Sequence, residues 1–228
     1  MREIVLDTET TGLDPVEGHR IIEIGCVELV DQIPTGAERQ YYINPERSVG
    51  DSVAIHGIED AQLTDKPLFA HIVDDLLEFL GDAPLVIHNA GFDLKFLNHE
   101  FQRVSRPSIP YARAIDTMEI AKRKLPGARY SLDELCKRFA IDLSSRVKHG
   151  ALLDAQLTAR VYLELAGGRQ TRLTLAPVDT ATMVVTSEIR IPRIRPEPLI
   201  PRITEAEVAA HAAFIADLGA EPVWAWAA

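Results

Sequence analysis

The stretch Ile4–Asp14, IVLDTETTGLD, decides how this chain is read. Ile4, Val5 and Leu6 are apolar and run straight into Asp7, with Glu9 two positions further on. Alternate residues of a strand point to one side, so Asp7 and Glu9 converge if the strand continues that far. Two carboxylates held together repel, and something must offset the repulsion. Exposure to water does so for most such pairs. A hard divalent cation is the sharper answer, because Mg²⁺ and Mn²⁺ take carboxylate oxygens.

Outward from that stretch, residues 3–7, 20–30 and 39–44 are rich in Ile, Val and Tyr, with the turn-forming TTGLDPVEGH and DQIPTGAE between them. Consecutive strands with short loops predict antiparallel hairpins. The pattern then changes. LFAHIVDDLLEFLG places Ile72, Leu76, Leu77 and Leu80 on one helical face, APLVIHN is a short apolar strand, and GFDLKFLNHEFQRV is helical through Leu94, Leu97 and Phe101. A short strand near RAID and helices at TMEIAKRKL, SLDELCKRF and LLDAQLTARVYLELA follow. This order predicts an α/β fold, a mixed sheet flanked by helices, over residues 1–168.

The chain has 228 residues, enough for one domain of about 150–200 residues and an appendage. Its hydrophobic and charged fractions, 46% and 25%, are those of a soluble globular protein. No apolar run approaches the ~18 residues of a membrane span. The opening MREIVLD lacks the apolar segment of a secretory signal, so a cytoplasmic protein with no membrane partner is expected. Cys26 and Cys136 lack metal-ligand spacing and read as core thiols of a reduced protein. The net charge of −10 is unevenly spread: residues 1–94 carry 5 Lys/Arg against 19 Asp/Glu, and residues 95–148 carry 12 against 6. That basic block is either a solvated surface or a phosphate-facing one.

Further acids fall in suggestive places. Asp93 opens a helix just past the strand LVIHN, where a strand's C-terminal end delivers residues into a cleft. Asp154 lies one turn into the last helix of the domain. His149 is five residues before it, too far to share a helical face, so it belongs on the entering loop. Singly, each has a plain explanation: a first-turn helix acid, a solvated helix residue, a loop histidine.

Together, DTETTGLD, HNAGFD and HGALLDA resemble the three motifs of the DEDDh family of 3′→5′ exonucleases, in order, spacing and flanking residues across roughly residues 1–166. The resemblance implies a ribonuclease-H-like fold with the acids gathered at one edge of the sheet. It implies two Mg²⁺ or Mn²⁺ ions held by Asp7, Glu9, Asp93 and Asp154, with His149 as general base. Histidine at that position, rather than tyrosine, marks the h type. VAIHGIED, Val53–Asp60, resembles a family segment beside the substrate's 3′ end, so His56 either contacts DNA or is an ordinary turn histidine. The backbone from Thr8 to Leu13 would cradle the terminal nucleotide, and His88 and Asn89 are either polar neighbours of the site or structural. Phe92 reads as core.

After Gly168 the composition shifts. QTRLTL, Gln170–Leu175, with Leu173 and Leu175 after the glutamine, resembles the short peptides that dock on the bacterial sliding clamp. Pro177, Pro192, Pro196, Pro198 and Pro201 mark an extended linker over about 176–203, so 169–203 reads as clamp-binding-like peptide plus flexible Pro-rich linker. TEAEVAAHAAFIADLG reads as a terminal helix, with Thr204 and Glu207 as a capping box and Val208, Ala212 and Ile215 on one stripe. Residues 204–228 close with Trp224 and Trp226. This arrangement resembles the proofreading branch of the family, which implies that Val208, Ile215, Trp224 and Trp226 hold the alpha subunit of DNA polymerase III. The substrate would be the 3′ end of single-stranded or frayed DNA. Two rivals are a free-standing nuclease acting on RNA or short oligonucleotides, and a non-catalytic tether between polymerase and clamp.

Overall fold

A computed structural model describes residues 1–144, 146, 148–167 and 203–217. The chain divides into two units, Met1–Thr174 and Leu175–Ala228.

The first unit is built on five strands: β1 (Arg2–Thr10), β2 (Ile21–Val30), β3 (Ile33–Tyr42), β4 (Leu85–Ile87) and β5 (Ala114–Asp116). Their order across the sheet is β3-β2-β1-β4-β5. β1, β2 and β3 pair antiparallel, as the short loops predict, while β4 runs parallel to β1 and β5 parallel to β4. The parallel pairs need crossovers, which the helices supply. Between β3 and β4 lie α1 (Val53–His56), α2 (Asp60–Leu63) and α3 (Phe69–Leu80). α4 (Ala90–Arg103) connects β4 to β5, and α5 (Thr117–Lys124), α6 (Leu132–Arg138) and α7 (Ala151–Ala166) follow. The one-turn helices α1 and α2 lie in a stretch whose periodicity gave no helix, being too short to establish one.

Strand alternation sorts β1 between two cores. Ile4 and Leu6 pack with Phe69, Ile72, Val73, Leu76 and Leu80 of α3 and Leu94, Leu97 and Phe101 of α4. Val5, on the opposite side, packs with Val27, Val86 and, from α7, Ala155, Ala159 and Tyr162. Each Val, Leu, Ile or Phe among them contributes about 1.5–3 kcal/mol on burial. Cys26 and Cys136 are buried free thiols, as their composition suggests.

Two devices bring α7 close to β2. Gly25 lies against the first turn of α7, where any side chain would collide with the backbone of Ala151 and Leu152. Beside it, buried Glu23 accepts a 3.1 Å hydrogen bond from the Ala151 amide, capping the helix in place of the missing side chain of Gly150. At the far end Tyr162 donates to Glu3 of β1 at 2.8 Å. A buried ion pair, Arg20 to both oxygens of Glu100 at 2.6 and 2.9 Å, joins the start of β2 to α4.

In the second unit, α8 (Glu205–Asp217) is capped by Thr204 and Glu207: the Thr204 amide donates to Glu207 at 2.8 Å, and the Glu207 amide to Thr204 Oγ1 at 3.3 Å. Val208 is exposed and Ile215 half-buried, and Phe214, off their stripe, is also exposed. Among the described residues, no helix is long and apolar enough to cross a membrane.

Candidate active site

β1 runs three residues past its expected end at Asp7, so Asp7 and Glu9 both sit on strand backbone, opposite Gly25 and Glu23 of β2. They share a side with Val5 and hence face α7. Register shifts after Glu9, between Glu9 and Thr10, which ends the regular ladder beside the site. Thr8 points the other way, toward α4, and its hydroxyl donates to Asp93 Oδ1 at 2.7 Å. Asp93 is in the first turn of α4 and Asp154 in that of α7, both buried. His149 stands on the loop entering α7, its side chain 47% exposed, with Nδ1 3.2 Å from Asp154 Oδ2.

These five side chains line one open cleft of about 230 Å³. An adjoining cleft of about 280 Å³ shares Asp7, His149 and Asp154 and continues past Met118, Ser131 and Asp133. Burial is the first reason that the Asp7 carboxyl is held well above its ordinary range, followed by the charges of Asp93, Asp154 and Glu9. Burial, then the charges of Asp154, Glu23 and Asp93, push Glu9 up to about 8. Burial pushes Asp93 up to about 7, against the hydrogen bond from Thr8 that favours its ionised form. Burial adds to the repulsion visible in the sequence rather than relieving it, and both raise the cost of ionising these carboxyls together.

Hard oxygen donors at this density suit divalent cations. Glu9, His149 and Asp154 can bring one ligand atom each within 4.8 Å of one another. Asp7 and Asp93 line the same cleft.

The remaining expected residues fall into three groups. Leu13 is 79% exposed at the rim of the cleft, available to a ligand. Asn89 caps α4 in the left-handed region at φ 69°, and its amide and that of Ala90 donate to Asp116 at 3.2 and 3.0 Å. His88 pairs through Nδ1 with Thr117 Oγ1 at 2.8 Å. His56 lines the cleft and also holds a turn. It is buried, accepts the Ile58 amide on Nδ1 at 3.0 Å and meets Ser52 Oγ with Nε2 at 3.0 Å. Phe92 packs against Phe96 and the core, as expected, and lines the cleft as well. Gln170, Leu173, Leu175, Trp224 and Trp226 lie outside the described residues.

Four neighbours of the site escaped the sequence reading. Asp116 receives the start of α4 and also caps α5 through the Met118 amide at 2.8 Å. Glu23 and Gly25 seat α7. Arg146 donates from Nε and Nη2 to the two oxygens of Asp154, each at 2.6 Å, and Nη2 lies 2.8 Å from His149 Nδ1. The only trace of Arg146 in the sequence is its membership of the basic block.

The chain is a 3′→5′ exonuclease, a phosphodiester hydrolase, as its family match and relatives show. The profile of the family described as Exonuclease matches residues 4–162. Among solved structures, that of Exonuclease X in complex with 5′ overhanging duplex DNA superposes with a TM-score of 0.55 at 28% identity, over 71% of this chain and 89% of that one. The nuclease domain of 3′hExo, a DEDDh family member, superposes with a TM-score of 0.63 at 22% identity, over 72% of this chain and 91% of that one, and speaks for the fold alone. Proteins named DNA polymerase III subunit epsilon are similar over nearly the whole chain. The one from Rickettsia felis is 46% identical over 96% of this chain and 97% of its own length. The one from Escherichia coli K12 is 43% identical over 93% and 91%. This chain belongs to the exonuclease family and, within it, to the DNA polymerase III epsilon subunits. Its activity is that of a proofreading exonuclease, and membership implies divalent metal ions at the site.

Proposed function

We propose that the chain removes mispaired 3′-terminal deoxynucleotides from DNA, releasing 5′-mononucleotides, with Asp7, Glu9, Asp93 and Asp154 holding two Mg²⁺ or Mn²⁺ ions. The observation that carries this reading is the meeting of those four acids and His149, from three separate motifs, in one open cleft. When bound, such ions supply charge neutralisation at the scissile phosphate and a water acidified toward neutral pH.

The chain's own residues do the rest. Thr8 fixes the Asp93 carboxylate through its hydroxyl. Glu23 and Gly25 hold the first turn of α7, and so Asp154, against the sheet. His149 serves as general base, taking the proton of the attacking water on Nε2 while Nδ1–H is held by Asp154 Oδ2. The exposed loop position lets the ring approach the reacting phosphate. Leu13 at the rim, with the Thr8–Leu13 backbone and Asn89, bounds the terminal nucleotide. The cleft takes an unpaired strand end. Mispaired ends fray at lower cost and enter it more often, so selection needs no base-specific contact.

The terminal segment, 204–228, is assigned to the alpha subunit of DNA polymerase III, with Val208, Ile215, Trp224 and Trp226 as its apolar anchors. Gln170–Leu175 is assigned to the sliding clamp. Tethering of this kind raises the local concentration of exonuclease at the primer end, consistent with a cytoplasmic replication protein.

The test is digestion of matched and 3′-mispaired primers by the full chain with Mg²⁺ or Mn²⁺, alongside Asp7→Ala. Faster loss of the mispaired nucleotide, abolished in Asp7→Ala, is expected. Equal activity of the variant, or a strong preference for RNA, overturns the reading. Deleting residues 204–228 should release the alpha subunit, and Gln170→Ala with Leu173→Ala should weaken clamp binding only.

A further inference from the structure

Arg146 sits in the middle of the site yet has no part in the chemistry just derived. Its side chain is 7% exposed and that of Asp154 4%. The guanidinium takes both Asp154 oxygens in a fork at 2.6 Å, touches His149 Nδ1 at 2.8 Å and pairs through Nη1 with Asp133. A carboxylate has about four lone-pair directions, and a planar bidentate pairing spends two of them on one face. A divalent ion on those oxygens would also face a fixed positive charge at contact distance. The guanidinium and a divalent cation therefore compete for Asp154.

His149 gives a second argument for this competition. When Nη2 donates to Nδ1, Nδ1 is an acceptor and the ring proton sits on Nε2. A general base acting through Nε2 needs the opposite tautomer, with Nδ1–H on Asp154. The guanidinium thus occupies one ligand and holds the base in the form that cannot accept a proton there. Asp133, whose side chain is 47% exposed, offers the displaced guanidinium a partner on the outer side of the cleft.

We infer that Arg146 is a positioning residue that competes with the catalytic cations for Asp154, so that cation loading and release of His149 are one coupled event. The inference rests on Asp154 being a metal ligand. It makes Arg146 a determinant of metal affinity, and the exchange a step that precedes hydrolysis.

The experiment is calorimetric titration of Mn²⁺ into the EDTA-stripped full chain, comparing wild type, Arg146→Gln and Arg146→Lys, with melting temperature measured with and without Mn²⁺. Arg146→Gln should bind Mn²⁺ about tenfold tighter or more, the effect of ~1.4 kcal/mol of coupling. Mn²⁺ should also raise its melting temperature by more than it raises that of wild type. Arg146→Lys keeps the charge but loses the fork and should fall between. A purely structural arginine would lower both melting temperatures together and leave Mn²⁺ affinity equal or weaker, which overturns the inference. If Arg146→Gln does not fold, the Nε–H resonance of Arg146 in wild type decides: it should move when Mg²⁺ saturates the site, and a fixed resonance is equally fatal. A wild-type chain that binds no Mn²⁺ instead overturns the metal-ligand assignment itself, and with it this inference.

Discussion

Glu9→Gln is expected to stabilise the protein while destroying its metal site. Glu9 is buried, and its carboxyl is pushed from an ordinary 4.5 up to about 8. The folded chain thus holds a proton there that the unfolded chain has released between about pH 4.5 and 8. Stability falls with rising pH wherever the native state binds more protons, so this group's contribution is fully present below 4.5 and is lost as pH climbs through 8. Forcing a carboxyl so displaced to ionise costs about 5 kcal/mol at 1.36 kcal/mol per pH unit. Relaxation and water entry around the charged form lower the net figure to about 2–3 kcal/mol. In a chain of this length that corresponds to about 4–12 °C in melting temperature. The assay is thermal unfolding in EDTA, by circular dichroism, at pH 5 and pH 8.5. Glu9→Gln should melt near wild type at pH 5, where both side chains are neutral, and well above it at pH 8.5. With saturating Mn²⁺ the order should reverse, because wild type gains the metal's binding energy. A variant that melts at or below wild type at pH 8.5 in EDTA, or that gains equally at both pH values, refutes the reasoning.

The same displaced carboxyls make metal binding release protons. Calorimetric enthalpies of Mn²⁺ binding at pH 7 should therefore depend on the ionisation enthalpy of the buffer, and affinity should rise from pH 6 to pH 8. His149→Gln should lower kcat by about 10²–10⁴-fold, while Mn²⁺ still raises the melting temperature through the acids. Gly25→Ala drives a methyl into the backbone of Ala151 and Leu152. It should push α7 off the sheet, lowering both melting temperature and kcat although it touches no reacting group. Glu100→Gln removes the charge from the main partner of buried Arg20, which keeps Glu46 at 3.4 Å, and should cost about 1–3 kcal/mol on chemical denaturation, with Mn²⁺ affinity little changed in the protein that remains folded.

Much of the molecule was legible in its residues. Short runs rich in Ile, Val and Tyr between turn signals marked the strands, although β3 begins at Ile33 rather than at residue 39, and 3.6-residue spacing marked α3 and α4, because such patterns lie within one element and need no knowledge of the rest. Strand alternation placed Asp7 and Glu9 on a common side. The three motifs, through their family resemblance, marked the acids of α4 and α7 and the loop histidine. The capping box at Thr204 and Glu207 is likewise a local pattern, complete within four residues.

What the tertiary structure decided is everything that depends on two distant segments meeting. Nothing near Gly25 announces that α7 lies against it, nor near Glu23 that it caps a helix begun at Ala151. His56 reads equally as a DNA contact or a turn histidine, and only the fold shows its ring accepting the Ile58 amide. Arg146 counted only as one charge in a basic block, although packing sets it on Asp154. Local periodicity is written into the sequence because the backbone repeats every few residues. The partner of a buried charge is chosen by which elements pack together, and that choice is made only when the chain closes on itself.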